Sequence, residues 1–445
     1  MGKYFGTDGF RGRANESLTA VHAFRVGRFL GRYFQRGKSG RVRIAVGKDT
    51  RLSSYMFEYA LTAGATASGA DVYLLHVTTT PSVAFVTKTE GFDCGVMISA
   101  SHNPYTDNGI KLINAEGEKM DDNVLSLLED FLDGGTLPFA TNADIGRTVD
   151  YVAGRNRYLG YLLSIPHTSF RGLRIGLDCA NGSAWAISKA VFDALGAQVM
   201  LIGAEPNGEN INNGCGSTHP ERLASLVREQ SLDVGFAFDG DADRCIAVDE
   251  RGEIVDGDGI LYLLAVQMKQ NSEECGEIVA TVMSNSGLKN SLAREGIGVR
   301  FVGVGDRAVY QEMRARDLLL GGENSGHIVF RKYATTGDGI LTALKITETL
   351  LDRKCPLSCL TRGYRPLVQR FCNIPVQDKQ SVLHAPAVQF AKDRAEEGLT
   401  GGRLLLRASG TENVVRIMAE GENEAQTDEA IQTVKRAILS FGEDL

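Results

Sequence analysis

An acidic loop carries the residues with the clearest chemical character. The stretch Asp239-Gly-Asp-Ala-Asp-Arg244 places three carboxylates at alternate positions directly after an apolar run, residues 234–238. At this spacing Asp239, Asp241 and Asp243 can turn three hard oxygen ligands toward one cation. Carboxylates this close repel one another strongly unless positive charge lies between them. The loop therefore predicts a metal site, and a solvated acidic turn is the alternative.

Magnesium fits this loop better than calcium. The three aspartates and Glu250 match the acidic positions of an EF-hand calcium loop, but Arg244 stands where that loop requires glycine. Strands rather than helices are predicted on both sides. Mg²⁺ is usually bound by a few carboxylates together with a phosphate ligand, and this loop offers such an arrangement.

Ser101 lies at the tip of a second polar loop, Ser99-Ala-Ser-His-Asn-Pro-Tyr105. A serine nucleophile needs a base in hydrogen-bond reach. His102 is adjacent, but neighbouring side chains rarely face each other, and the loop has no Gly-x-Ser-x-Gly elbow. If Ser101 is phosphorylated, it would instead act as a phosphate carrier, and its phosphate would need a metal and cations around it. Lys111 follows closely enough in the sequence to supply one of these cations. A purely structural serine turn is the alternative.

Two further turns have chemistry suited to a sugar phosphate. Gly322-Glu-Asn-Ser-Gly-His327 sets a carboxylate and a hydroxyl between glycines, which suits hydrogen bonding to vicinal hydroxyls. Arg407-Ala-Ser-Gly-Thr411, followed by Arg416, offers guanidinium groups, hydroxyls and amides to a phosphate. Considered alone, either stretch is also an ordinary turn.

Three similar strand–helix–strand repeats position the first three loops. The opening strands are residues 42–49, 173–178 and 277–284, and the second strands begin at Gly69, Gly196 and Gly296. In each repeat a third strand then ends in one of the polar loops. Continuous apolar strands alternating with helices predict parallel α/β domains covered on both faces, whose ligands bind at the carboxyl ends of the strands. Accidental self-similarity is the alternative.

The chain after Arg365 departs from this repeat. A helix over residues 383–397 and a strand–turn–strand over residues 402–420 predict a small α+β domain. The last helix has its apolar face at Ile431, Val434, Ile438 and Phe441.

Composition excludes several classes of function. A chain of 445 residues is too long for one core. No run approaches the ~18–20 apolar residues of a membrane span, and the N-terminus lacks a signal-peptide core, so we expect a cytoplasmic protein that does not bind membranes. A net charge of −7 argues against a general nucleic-acid surface and requires local clusters of cations if phosphate is bound. Eight scattered cysteines are typical of reduced, mostly buried thiols.

Together the motifs resemble the α-D-phosphohexomutase family, over nearly the whole chain. Phe5-Gly-Thr-Asp-Gly-Phe-Arg-Gly12, the serine loop, the acidic loop, the Glu323 turn and Arg407-x-Ser-Gly-Thr-Glu occur in the family's order. The resemblance implies three related mixed or parallel α/β sandwich domains and a C-terminal α+β domain like the TATA-binding protein. The expected domains are residues 1–150 with the phosphoserine loop, 151–252 with the metal loop, 253–366 with the sugar loop, and 367–445 with the phosphate-binding turn.

The resemblance also implies roles for individual residues. Ser101 would be the phosphoserine and, with Asp239, Asp241 and Asp243, a ligand of Mg²⁺. The other expected catalytic residues are Arg11, Lys111 and Arg244, and His102 is kept as a candidate because it adjoins Ser101. The expected substrate-binding residues are Glu323, Ser325, His327, Arg407, Ser409, Gly410, Thr411 and Arg416.

Three stretches are most similar to a bacterial branch of the family that acts on glucosamine phosphate: residues 4–9, 321–327 and 335–339. The implied reaction interconverts glucosamine 6-phosphate and glucosamine 1-phosphate through a hexosamine 1,6-bisphosphate, and it feeds UDP-N-acetylglucosamine and peptidoglycan synthesis. A homodimer is expected from the family alone. The alternatives are a glucose or mannose phosphate mutase of the same family, a non-catalytic sugar-phosphate binder, and a phosphatase.

Three positions depart from the family pattern. Ala242 stands where many relatives have glycine, and we expect its methyl group to be tolerated. Ala408 and Asn413 replace a frequent lysine and a frequent proline beside the C-terminal turn. We expect these two replacements to affect phosphate binding there.

Overall fold

The computed structural model describes residues 2–6, 8–271, 273, 275–408 and 413–443. The chain forms two compact units, Met1–Met283 with Arg300–Arg362, and Ser284–Val299 with Gly363–Leu445. No helix in these described stretches is both long and apolar enough to cross a membrane. The eight cysteines all lie in the described part and are free thiols, five of them buried, as the sequence predicted.

The first sheet of the larger unit is built from residues near the N-terminus. Its elements are β1 (Phe10–Arg13), α1 (Ala20–Tyr33), β2 (Arg43–Lys48), α2 (Leu52–Thr66), β3 (Asp71–Val77), α3 (Thr80–Thr89), β4 (Cys94–Ile98), β5 (Asp107–Asn114), α4 (Asp122–Leu132), a 3₁₀ turn (Asn142–Asp144) and β6 (Thr148–Asp150). The strand order is β1-β5-β4-β2-β3-β6. Strands β3, β2 and β4 are parallel, while β5 runs antiparallel between β4 and β1.

The second sheet repeats this plan. Its elements are α5 (Val152–Leu163), β7 (Arg174–Asp178), α6 (Ala184–Ala194), β8 (Gln198–Ile202), α7 (Glu221–Gln230), β9 (Val234–Phe238), β10 (Cys245–Val248) and β11 (Ile254–Val255). The strand order is β11-β10-β9-β7-β8. Strands β8, β7 and β9 are parallel, and β10 returns antiparallel to β9.

The third sheet is shorter. The next elements are α8 (Gly257–Gln270), β12 (Glu277–Thr281), α9 (Ser286–Arg294), β13 (Gly298–Val302), α10 (Asp306–Ala315), β14 (Leu320–Gly322), β15 (Ile328–Phe330), α11 (Gly339–Arg353) and α12 (Leu357–Leu360). The strand order is β13-β12-β14-β15, with β12 parallel to β14 and β15 antiparallel to β14. Helix α9 belongs to the smaller unit.

The threefold repeat predicted from the sequence is confirmed. Each polar loop follows a strand that pairs in parallel and is followed by an antiparallel return strand, at β4–β5, β9–β10 and β14–β15. Gly69, Gly196 and Gly296, which precede β3, β8 and β13, all have positive φ, of 92°, 93° and 68°. A residue that follows a helix in the left-handed conformation meets a steric penalty from its Cβ atom. Glycine has no Cβ and therefore fits at these positions.

The smaller unit is an antiparallel sheet covered by helices. Its remaining elements are β16 (Val368–Pro375), α13 (Lys379–His384), α14 (Pro386–Glu397), β17 (Arg403–Ala408), β18 (Val414–Gly421) and α15 (Glu424–Glu443), and the strand order is β16-β18-β17. Ile431, Val434 and Ile438 of α15 are buried in its core, and Phe441 packs against that core, as predicted. The prediction of a single helix over residues 383–397 is wrong. Two helices meet there because Pro386 lacks an N–H and starts a new helix.

Candidate active site

Ser101 is buried in the loop between β4 and β5. Its Oγ donates a hydrogen bond to Oδ2 of Asp239 at 2.5 Å, and Nδ1 of His102 lies 3.4 Å from the same oxygen. The residue has a left-handed backbone, with φ of 53°. Its carbonyl oxygen accepts from the side chain of Asn212 at 2.9 Å. The serine of one sheet therefore touches the acidic loop of the next.

The three aspartates lie between β9 and β10 and are all buried. Each offers a carboxylate oxygen, and these oxygens lie within 4.8 Å of one another. Oδ1 of Asp241 and Oδ1 of Asp243 are buried and accept no hydrogen bond from the residues that the structure describes. Buried polar atoms are normally satisfied, and hard carboxylate oxygens that converge are ligands for a divalent cation. The triad therefore fits a divalent metal ion.

The triad does not carry its full negative charge without such an ion. Burial, and then the charges of Asp243 and Asp241, raise the pKa of Asp239 to about 8. Burial alone would also raise the pKa of Asp243, but Lys111 and His327 outweigh it and hold that pKa well below its usual range. Asp239 therefore binds a proton at neutral pH when no metal is present. Burial, and then the charge of Asp243, also raise the pKa of Asp241.

Lys111 supplies positive charge from β5. Its Nζ donates to Oδ2 of Asp241 at 2.7 Å and to Oδ2 of Asp243 at 3.0 Å. Burial would lower the pKa of this lysine, but Asp241, Asp243 and Asp8 raise it well above its usual value. Lys111 is therefore a fixed cation beside the metal site and not a proton acceptor.

Arg11 and Arg244 add two more cations around Ser101. Arg11, on β1, donates to Oδ1 of Asn103 in the serine loop at 3.1 Å and to Asp8. The backbone N–H of Arg244 donates to Oδ1 of Asp239 at 3.2 Å, and its guanidinium Nε lies 3.9 Å from Asp243. Burial opposes the charge of Arg244, but Asp239 and Asp243 raise its pKa.

His102 is neutral at physiological pH. Burial, and then the charges of Arg244 and Arg11, lower its pKa to about 4. Its Nδ1 is within reach of Ser101, but a hydrolase triad would also need a carboxylate on the second ring nitrogen. The described hydrogen bonds and ion pairs of His102 include no such carboxylate.

Glu323, Ser325 and His327 lie between β14 and β15 and line a cavity of about 260 Å³ that also borders Asp243 and Arg244. Oε1 of Glu323 accepts from the backbone N–H of Gly305 at 3.1 Å, so this carboxylate is held in place. A carboxylate and a hydroxyl on the cavity wall can bind hydroxyl groups of a ligand. These expected substrate-binding residues share one cavity with the metal site.

His327 is fixed between two carboxylates. Its Nε2 accepts from the backbone N–H of Gly337 at 2.9 Å, and its Nδ1 lies 3.7 Å from Oδ1 of Asp243. Burial would lower the pKa of His327, but Asp243 and Asp306 raise it to about 9. The Gly337 amide opposes protonation of Nε2, and a cation on the triad would offset the charge of Asp243.

Several residues of the site were not assigned from the sequence. Asp8 bonds Arg11 and, with Asp306, pairs with Lys119, whose Nζ lies 3.0 and 2.5 Å from the two carboxylates. Thr80 holds Asp241 through both its hydroxyl and its N–H. Asp8 lies inside the N-terminal motif, which was a usable signal. Lys119 and Asp306 are far apart in the chain and had none.

The C-terminal candidates lie in the smaller unit. Arg407 of β17 is the register partner of Arg416 of β18. Partial burial, and then the charge of Arg416, lower the pKa of Arg407. Two neighbouring guanidinium groups suit a phosphate. Ser409, Gly410 and Thr411 fall outside the described residues.

The fold and the site of the larger unit define an α/β enzyme whose buried serine lies against an acidic metal site. Families described as "Phosphoglucomutase/phosphomannomutase, alpha/beta/alpha domain" I, II and III match residues 2–137, 156–252 and 256–366, and the C-terminal domain of the same description matches residues 372–437. The chain belongs to the phosphoglucomutase/phosphomannomutase family, also called the α-D-phosphohexomutases.

Similar proteins cover nearly the whole chain. The phosphoglucosamine mutase of Lachnospira eligens is 56% identical, with 99% of both chains covered, and that of Anoxybacillus flavithermus is 46% identical, with 98% and 99% covered. A solved phosphoglucomutase/phosphomannomutase family protein from Burkholderia thailandensis has a TM-score of 0.81 at 25% identity, with 99% and 98% covered. The N-acetylphosphoglucosamine mutase of Aspergillus fumigatus, solved with GlcNAc-6P and magnesium, has a TM-score of 0.70 at 17% identity, with 99% and 96% covered, and shares the fold.

Proposed function

We propose that this protein is a phosphoglucosamine mutase, an isomerase that interconverts glucosamine 6-phosphate and glucosamine 1-phosphate. The observation that carries the proposal is the 2.5 Å contact between Oγ of Ser101 and Asp239. The cations Lys111, Arg11 and Arg244 contact the same two loops. A sugar-phosphate binder has no need of a buried serine against a metal site. The names of relatives that are 44–56% identical support glucosamine as the sugar.

The reaction runs through a phosphate on Ser101. The phosphoserine gives its phosphoryl group to O1 of glucosamine 6-phosphate, which forms the 1,6-bisphosphate and frees the serine. The bisphosphate turns over in the site, and Ser101 takes back the phosphoryl group from O6, which releases glucosamine 1-phosphate. Turnover is needed because O1 and O6 lie on different parts of the sugar and cannot both reach one serine in a single pose.

The chain's own residues give the charge and the orientation that this transfer needs. Lys111, Arg11 and Arg244 stabilise the negative charge of the phosphoryl group as it moves. Glu323 and Ser325 bind sugar hydroxyls on the cavity wall. His327 lies beside them on the same wall and is a further candidate to bind the substrate. Arg407 and Arg416 are the candidates to bind the phosphate that is not reacting.

Magnesium is the proposed metal. Asp239, Asp241 and Asp243, with an oxygen of the phosphoserine, make a small set of hard ligands, which Mg²⁺ prefers. Bound there, Mg²⁺ would withdraw charge from the phosphoryl oxygens. We also propose that the enzyme acts in the cytoplasm, in the supply of UDP-N-acetylglucosamine for peptidoglycan.

A coupled assay tests the proposal. Purified protein with Mg²⁺ and a catalytic amount of glucose 1,6-bisphosphate is given the 6-phosphates of glucosamine, glucose and mannose in turn. We expect the highest kcat/KM for glucosamine 6-phosphate, loss of activity in Ser101→Ala, and full activity in Ser39→Ala, whose serine is exposed. Faster turnover of a glucose or mannose ester would assign the enzyme to that sugar instead.

A further inference from the structure

A fully buried arginine, Arg51, holds the loop that carries Ser101. Its Nη2 donates to the carbonyl oxygens of Ser101 and Asn103 at 2.9 and 2.8 Å. Its Nη1 donates to the carbonyl oxygens of Pro104 and Asp107, the latter at 3.1 Å. One planar guanidinium group thus satisfies four carbonyls of a single loop, which the three donors of a lysine cannot reproduce in this geometry.

Asp49 connects this arginine to the other side of Ser101. Oδ2 of Asp49 accepts from Nε of Arg51 and from Oγ of Ser99, both at 2.7 Å. Oγ of Ser99 in turn accepts the backbone N–H of Ser101 at 2.9 Å. Asp49, Arg51, Ser99 and Ser101 are each 0% exposed. A continuous buried chain of hydrogen bonds therefore reaches both the N–H and the C=O of the serine.

The conformation of Ser101 explains why both groups need partners. A left-handed backbone is strained for a residue with a side chain, so the φ of 53° at Ser101 persists only where the surroundings hold it. With its N–H bonded to Ser99 and its C=O to Arg51, the Cα–Cβ bond of Ser101 is directed at the acidic triad. The contact from its Oγ to Asp239 depends on that direction.

We propose that Asp49, Arg51 and Ser99 are positioning residues that aim Ser101, and the phosphate it carries, at the metal site. The proposal deepens the proposed function and rests on it. None of the three residues touches the cavity that Glu323 and His327 line. They therefore act on the transfer step and not on the binding of the sugar.

Ser99→Ala is the test variant, and Ser54→Ala is its matched control. Oγ of Ser54 also donates to Asp49 at 2.7 Å, and Ser54 is also 0% exposed. Its partners are Asp49 and Asn108, and Asn108 has a second acceptor in Ser53. Each variant removes one serine hydroxyl that donates to the carboxylate of Asp49. Of these two serines, only Ser99 is bonded to Ser101.

Steady-state kinetics with glucosamine 6-phosphate should separate the two variants. Because a displacement of about 1 Å in a reacting group can cost about 100-fold in rate, we expect Ser99→Ala to lower kcat by about 10- to 100-fold and to leave KM within about 3-fold. Ser54→Ala should keep kcat and KM within about 3-fold while losing as much thermal stability. Arg51→Lys, which keeps the charge, should lower kcat as well, because it cannot bond the four carbonyls.

Crystal structures of the two variants give a readout that does not depend on activity. We expect the Ser101 side chain to leave Asp239 in Ser99→Ala and to keep its contact in Ser54→Ala. Equal losses of kcat in both variants, a change in KM alone, or an unmoved Ser101 in Ser99→Ala would overturn the proposal. A wild-type protein without mutase activity would overturn the proposed function, while the two crystal structures would still decide whether Ser99 positions Ser101.

Discussion

Asp239, Asp241 and Asp243 bring more negative charge into the interior than a buried site can hold unaided. Lys111 offsets part of it through bonds to Asp241 and Asp243. Asp239 receives no bond from that lysine among its described contacts, and its pKa rises to about 8. A proton and a metal ion are therefore alternative ways to neutralise the same carboxylate.

Metal binding should consequently release a proton. At pH 7 the metal-free protein carries a proton on Asp239, so Mg²⁺ should displace about one proton at pH 7 and almost none at pH 9, and its affinity should rise between these values. Calorimetry in two buffers of different ionisation enthalpy measures the proton count. Asp239→Asn is the control, in which the release should vanish. An equal release at both pH values would contradict the assignment.

The raised pKa of Asp239 also determines how the stability of the metal-free protein changes with pH. The pKa of Asp239 is raised in the folded state, so its contribution to the stability of the metal-free protein is lost as the pH rises toward 8. The gain in Tm on adding Mg²⁺ should therefore be larger at pH 8.5 than at pH 6. Differential scanning calorimetry measures this gain.

At this scale the sequence predicted the charged residues and not their supports. The three aspartates and Ser101 were candidate site residues because each of their two loops holds several reactive groups within a few positions. Lys119 and Asp306 are 187 residues apart, and Arg51 and Ser101 are 50 apart. Such pairs meet only through the tertiary fold, so local spacing carries no sign of them.

At the scale of elements, two loops from different sheets are in direct contact. A Cβ added at Gly240 would lie 2.6 Å from the carbonyl oxygen of Ser101 and 2.8 Å from Ile211. This close approach is what lets Ser101 reach Asp239. Ala242, two residues on, has a φ of 56°, where glycine is the less strained residue.

The pair Gly240→Ala and Ala242→Gly tests this approach. Gly240→Ala should push the loops apart and reduce both kcat and Mg²⁺ affinity by at least about 10-fold, because the new methyl group meets the backbone carbonyl oxygen of Ser101, which cannot rotate away. Ala242→Gly should keep both values and change stability by no more than about 1 kcal/mol, since relief of strain offsets the added freedom of the unfolded chain. Full activity in Gly240→Ala would show that the loops need not be so close.

Elements were predictable where the pattern was continuous. The apolar strands 43–48, 174–178 and 277–281 and the glycines after the following helices stood out in the sequence. The antiparallel direction of β5, β10 and β15 could not be predicted, because the apolar pattern of a buried strand is the same in a parallel and an antiparallel strand. The break at Pro386 was missed because the apolar pattern continues across it.

At the scale of the whole molecule, the repeat explains the site of the larger unit. Each of its sheets delivers one polar loop, and the three loops meet around Ser101, Asp239 and His327. The chain is acidic overall, with a net charge of −7, yet Arg11, Lys111 and Arg244 gather at this point. The sequence predicted that cations would be concentrated locally if phosphate is bound, and the larger unit agrees.

Transfer of a labelled phosphate group tests most directly whether Ser101 carries the phosphate in this reaction. Protein labelled with ³²P from glucose 1,6-bisphosphate is freed of excess reagent and mixed with Mg²⁺ and glucosamine 6-phosphate in a single turnover. We expect the label to lie on Ser101, to be absent in Ser101→Ala, and to pass to the sugar bisphosphate with little inorganic phosphate formed. Label on another residue, or release of most of it as inorganic phosphate, would contradict a mutase that works through Ser101.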